Sequence, residues 1–289
     1  MKEIISPLTN TASAELVRKV PVKKIISGYQ SSFSISTEAL FHNLESVDLY
    51  KCTKTGYRFF YPFFIAGDGP FYAQLQEFDW YYQPWKWEYE QTLGYIKPGM
   101  NVLEIGCGTG AFIKKAQELY PSAKFTGLEL NLRAVQAAVA DQLDVRPQLI
   151  QEHAATHASS YDFICSFQVL EHIADVQSFI QAQIDCLKKG GTLLIAVPNN
   201  ASFIKYDFEE NYLNLPPHHM GLWTPRSLQS LETIFPIKYE SGLNEPFQRR
   251  YRSWLLDIIE KRIVNRNKFI QYFYRQFSLK PRIKAHVTR

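Results

Sequence analysis

The stretch Val102-Leu103-Glu104-Ile105-Gly106-Cys107-Gly108-Thr109-Gly110 sets an acid two residues ahead of three glycines at alternate positions. Glycine has no Cβ, so the chain can bend sharply there and a ligand can lie against its backbone. Loops that take a pyrophosphate read G-x-G-x-x-G, whereas this one reads G-x-G-x-G. A carboxyl at Glu104 would repel phosphate and offset a cationic group. A second acid, Glu129, follows at the spacing of about 20 residues at which a carboxylate takes the two ribose hydroxyls of a nucleoside. Glu152 lies just past the next apolar run, where the edge of a base would sit. Three histidines could move protons: His172 in Leu170-Glu171-His172-Ile173, and the pair His218-His219 after Pro216-Pro217. An ordinary imidazole pKa near ~6.5 suits proton removal at neutral pH.

Such groups need strands to aim them. Residues 102–105 are an apolar run too short for a helix, and the helix-favouring stretch Ala111–Leu119 follows. Residues 124–130 predict a second buried strand, with Asn131 placed to cap the next helix. Residues 148–151 predict a third short strand, and Tyr161–Phe167 a fourth that runs on into Gln168. Lys188-Lys189-Gly190-Gly191 turns into a fifth over residues 192–197. Thr224-Pro225 is an N-cap followed by proline at the first helical position. A sixth strand is expected over residues 237–243 and a short last one over 282–288. Apolar strands alternating with helical patterns imply a parallel sheet covered on both faces.

The glycine loop, the acid after the second strand, the Tyr-Asp-Phe-Ile…Val-Leu-Glu-His-Ile block and the Lys-Lys-Gly-Gly-Thr-Leu-Leu-Ile turn together resemble the class I S-adenosylmethionine-dependent methyltransferases. They stand in that family's order across roughly residues 85–245. The narrower likeness is to bacterial small-molecule and glycan-type enzymes. The resemblance implies an α/β, Rossmann-like, mostly parallel seven-stranded sheet and S-adenosylmethionine as methyl donor. Glu104, Gly106, Cys107, Gly108 and Gly110 would form the methionine-side loop, Glu129 and Leu130 the ribose site, and Glu152 the adenine end. Gln168 would line the floor, and Tyr82 would set a ring face against the sulfonium, as aromatic rings do with cations.

The implied acceptor is a small molecule or glycan methylated on oxygen, with His172, His219 or His218 as general base. His172 has a structural alternative, holding its loop by local hydrogen bonds, and the aromatic stretch around Tyr82 could simply pack on the sheet. Glu171, His172 and His219 could converge on a divalent cation, but no helix-face or fixed-spacing signature supports one, and no metal is predicted. Two other functions stay open. A nucleic-acid partner is not expected, because no Asn-Pro-Pro-Tyr-like block is present. A non-catalytic scaffold is disfavoured by the intact loop.

The chain has 289 residues, 46% of them hydrophobic, enough for one α/β domain with extensions. We expect an N-terminal extension and lid over residues 1–85, the donor-binding core over 86–248, and a basic segment over 249–289. That last segment holds 12 Lys and Arg against two acids, and its apolar residues recur at helical spacing. It could pack on the core, lie on an anionic membrane surface, or meet RNA phosphates, in that order. No apolar run of ~18 residues is present, and the first ten residues lack the apolar core of a secretory signal. Cys52, Cys107, Cys165 and Cys186 form no C-x-x-C pair, which fits a reduced, cytoplasmic setting without structural zinc.

Overall fold

The computed structural model describes residues 3–206 and 210–259. Its first part is an antiparallel sheet. Strands β1 (Ala14–Pro21), β2 (Ser46–Cys52) and β3 (Arg58–Tyr61) pair in that order, with helix α1 (Val22–Phe33) between the first two. β2 shows why: Val47 and Leu49 alternate inward while Asp48 and Tyr50 are half-buried, the period of a one-sided strand. Helix α2 (Gly69–Leu75) starts where the Asp68 carboxylate accepts the Phe71 N–H at 2.9 Å, a cap that offsets one of the free donors of its first turn. Helix α3 (Trp87–Leu93) then leads into the second sheet.

That sheet contains β4 (Asn101–Ile105), β5 (Lys124–Leu128), β6 (Val145–Arg146), β7 (Tyr161–Phe167) and β8 (Leu187–Ala196). Their order is β6-β5-β4-β7-β8, parallel throughout. Helices α4 (Ala111–Leu119), α5 (Leu132–Ala140), α6 (Ile150–Ala154) and α7 (Val176–Cys186) make the crossovers. Ile105 pairs with Leu128 on one side and Ser166 on the other, so three strands end together. The order of strands reverses on either side of β4, and open α/β sheets bind ligands at such a reversal.

Two expectations are corrected. Residues 237–243 form no strand, so among the described residues the parallel sheet has five strands, and the expected last strand over 282–288 lies outside the described residues. Residues 148–151 are not a strand either. The third strand is the short β6, and α6 begins at Ile150, its start closed by the Glu152 carboxylate accepting the Leu149 N–H at 3.3 Å. An apolar run this short carries no period that separates strand from helix.

The division at residue 85 is also less clean than expected. Strand β9 (Gly221–Leu222) comes from the second part of the chain and pairs with β3, extending the antiparallel sheet to four strands. One apolar core runs through both parts, joining Tyr57 and Phe59 to Leu103, Ile164 and Trp223. The rings of Tyr57 and Trp223 lie 4.2 Å apart at their centroids. Helix α8 (Pro225–Gln229) follows, capped by Thr224 as expected. The basic segment is described only through α9 (Arg252–Ile259), and residues 260–289 lie outside the described residues. Among the described residues no helix is long and apolar enough to cross a membrane. All four cysteines are free and buried.

Candidate active site

The glycine loop leaves the end of β4 and is held from the neighbouring strand. Gly106 and Cys107 donate their N–H groups to the Leu128 carbonyl at 2.8 and 3.1 Å. The Glu129 carboxylate bridges two elements: one oxygen accepts the Gly108 N–H at 2.9 Å, the other the Asn131 N–H at 2.8 Å. Asn131 in turn caps α5. Each carboxylate oxygen has lone pairs beyond the one used, so Glu129 can still accept the hydroxyls of a ribose. Gly108 has φ +55°, and a Cβ there would come within 2.9 Å of the Tyr82 ring. The Tyr82 hydroxyl reaches Asn131 at 3.3 Å, so the ring lies over the loop, and burial pushes its pKa up to about 12.

Gln168 ends β7 with φ +58°, in the left-handed region that non-glycine residues seldom adopt. Its N–H is fixed to the Ala196 carbonyl at 2.8 Å, which turns the chain sharply toward a short 3₁₀ turn at Leu170–His172. That turn delivers Glu171 and His172. The loop carrying His218 and His219 is clamped to it from the other sheet. Met220 donates its N–H to the Glu171 carbonyl and accepts from the Phe60 N–H, and Gly67 donates to the Pro217 carbonyl. Two segments 46 residues apart are thereby brought face to face. The ring centroids of His172, His218 and His219 are 4.5, 5.0 and 4.6 Å apart pairwise.

Each of these imidazoles spends its Nδ1–H on an oxygen. His172 donates to the His218 carbonyl at 2.7 Å, His218 to the Leu213 carbonyl at 2.9 Å, and His219 to Asn214 Oδ1 at 3.0 Å. The lone pair is then on Nε2 in all three. Burial disfavours the imidazolium, lowering His172 to about 4 and holding His218 and His219 well below the ordinary value. All three are neutral at physiological pH. Glu171 is 1% exposed, one of its carboxyl oxygens has no hydrogen-bond partner, and burial raises it to about 8.

A single cavity of about 2000 Å³ takes in Gly106, Gly108, Glu129, Gln168 and all three histidines. Cys107, Leu130 and Tyr82 also line it. Leu130, Leu132 and Leu149 present apolar surface along it. Three expectations are corrected. Glu152 is exposed, does not line the cavity and spends its carboxylate on the start of α6. Gly110 is absent from the lining because its Cα faces Leu143, 2.4 Å from where a Cβ would stand. Glu104 lies beneath the loop, 1% exposed with an unpartnered oxygen, and burial raises it to about 8.

Other residues that shape the site gave no sequence signal. Asn214 and Asn200 orient His219, and Tyr72 donates to the His218 carbonyl at 3.2 Å. Loop asparagines have no period, and Tyr72 reads only as one of many aromatics.

A cradle that side chains would fill, a carboxylate with acceptor capacity at the next strand and apolar walls fit a nucleoside with a cationic tail. Residues 80–232 match the family model described as "Methyltransferase domain". Ubiquinone biosynthesis O-methyltransferases from Escherichia coli and from Shigella boydii serotype 18 are each 33% identical over 120 residues, covering 37% of this chain and 49% of theirs. The chain thus spans about half the length of these curated relatives. Among solved structures, a SAM-dependent methyltransferase from Archaeoglobus fulgidus is similar at 17% identity over 60% of this chain and 84% of that one, with a TM-score of 0.44. The matched domain takes in more than half of the sequence, the glycine loop, Glu129 and His172 among it, and the chain belongs to the class I S-adenosylmethionine-dependent methyltransferase family.

Proposed function

We propose that this protein transfers a methyl group from S-adenosylmethionine to a hydroxyl oxygen of a small molecule or glycan seated against the histidines. The observation that supports this is one cavity running from the glycine loop and Glu129 to His172, His218 and His219. When bound, the donor supplies a methyl group on a carbon already activated by sulfur. The chain then has only to orient an oxygen within ~3 Å along the S–CH₃ axis and exclude water. Glu129 grips the ribose, Tyr82 covers the loop, and the aromatic wall around Trp80 and Tyr81 keeps solvent off.

His172 accepts the hydroxyl proton on Nε2, because its Nδ1–H is already engaged. Its lowered pKa of about 4 makes it a weak base. Acidic hydroxyls such as phenols, with a pKa near ~10, are therefore served ahead of simple alcohols. The 33% identity to the ubiquinone-pathway O-methyltransferases agrees with transfer to oxygen.

Labelled donor offered with a panel of phenols, sugars, amines and alcohols should methylate hydroxyls, phenols fastest. His172→Gln should slow turnover by ~10²–10⁴-fold, the usual contribution of a positioned base, with donor affinity kept. Label on amines alone, or normal turnover in the variant, would contradict the assignment.

A further inference from the structure

We infer that His172, His218 and His219 together hold one divalent transition-metal ion of the zinc class at the acceptor end of the cavity. This rests on the proposed methyl transfer and changes one role in it. With the ion bound, His172 Nε2 is a ligand, and the ion at its fourth position would lower the pKa of the acceptor hydroxyl, whose proton then leaves to water. Its test needs no turnover. One ring nitrogen from each of the three histidines lies within 4.8 Å of the others. A zinc ion bound tetrahedrally at ~2.0–2.1 Å sets its nitrogens roughly 3.3 Å apart, so binding draws these imidazoles together by up to about 1.5 Å through rotation about their side-chain bonds.

The outer contacts are those of a metal site. A ligating histidine usually donates its other ring N–H to a carbonyl or carboxylate, which fixes tautomer and ring direction. All three do so here, two of them to backbone carbonyls. The third is fixed at one remove. Asn200 Nδ2 donates to the Pro198 carbonyl, Asn200 Oδ1 accepts from Asn214 Nδ2, and Asn214 Oδ1 accepts from His219. A backbone carbonyl thus sets the orientation of both amides and the tautomer of the last imidazole.

The protein holds a contrast. His153 and His157 stack at 3.8 Å, yet their ring nitrogens are all engaged. His153 meets Gln148 and Tyr161, and His157 meets the His153 carbonyl and Arg146. That pair has no lone pair to offer, whereas each imidazole of the trio keeps a second ring nitrogen beside its engaged Nδ1.

Three imidazoles select zinc, nickel, cobalt, copper or iron over magnesium and calcium, which take oxygen ligands. Three protein ligands leave the fourth position open, as catalytic rather than structural zinc sites do.

Chelator-treated full-length protein titrated with zinc should bind one equivalent, and cobalt should give the visible absorption of a nitrogen-ligated, non-octahedral ion. His172→Gln and His219→Gln should each weaken binding by at least the ~10–100-fold that changes to outer contacts already cost, while His157→Gln leaves it unchanged. Affinity for S-adenosylhomocysteine, measured on each variant, reports that the fold is kept. X-ray absorption on the zinc-loaded wild type, which needs no variant, should count three imidazole nitrogens. Binding below one equivalent, sulfur or purely oxygen ligation, or unchanged affinity in variants that still take the nucleoside would overturn the site. Loss of methylation with this metal binding intact would instead remove only the proposed activity.

Discussion

The Glu104 carboxyl sits under the glycine loop, 1% exposed and with one oxygen unpartnered. Burial carries its pKa up to about 8 from an ordinary 4.5. Between those values the folded chain holds a proton that the unfolded chain has lost, so stability falls as pH rises through this window. His172 pulls the other way, with a folded pKa near 4 against 6.5, so its stabilising effect is lost only as pH falls below 6.5. From pH 6.5 to 8 Glu171, also raised to about 8 by burial, acts with Glu104. The Cys52 thiol, whose burial is outweighed by hydrogen bonds from Ser13 and Thr55 that lower it to about 6, acts against them. Between pH 6.5 and 8 the melting temperature of donor-free Glu104→Gln should therefore gain on that of the wild type, because only the wild type loses the Glu104 proton advantage there. A constant difference between the two proteins across that interval would refute the burial argument. Glu129 was legible in the sequence because its spacing from the glycines follows from one crossover of ordinary length. Glu152 was misplaced because a capping carboxylate and a ligand-facing one leave the same mark on a sequence. Asn214 and Asn200 were illegible, since their hydrogen bond links two loops without period.

At the scale of the elements, the glycine loop separates into a ligand-facing and a fold-facing position. Gly108 lies against the Tyr82 ring, while Gly110, with φ +79°, begins α4 over Leu143. Gly108→Ala should cost the fold about 1–2 kcal/mol of left-handed strain and, by pushing Tyr82 aside, weaken nucleoside binding ~10-fold or more. Gly110→Ala meets Leu143 at 2.4 Å and should add about 1–3 kcal/mol of overpacking to the same strain. Denaturant midpoints should therefore fall further for the second variant, and calorimetric affinity further for the first. The reverse ranking would contradict the division. Strand β7 and helix α4 matched the sequence reading at both ends, because caps and apolar runs mark their limits. The strand expected over residues 148–151 overlaps only the start of α6, where the apolar residues are too few to show a period.

Across the whole molecule, the site depends on two sheets meeting. β9 ties the histidine loop to the antiparallel sheet, and the Glu171 carbonyl ties it to the parallel one. That convergence was not legible, because the paired residues are separated by most of the chain and only two of them form the strand. The parallel sheet itself is legible at its first, second, fourth and fifth strands, where continuous apolar runs mark burial, but not at its two-residue third strand; residues 237–243 are similarly apolar in places but pair with nothing in the described sheet. The claim on which the rest stands is that this junction holds S-adenosylmethionine. Calorimetric titration of the intact protein with S-adenosylmethionine tests it most directly. One site should be found, lost in Glu129→Ala, and donor at 100 times Kd should add about 2.7 kcal/mol of stability. No binding heat with no gain in stability, or full affinity in Glu129→Ala, would contradict it.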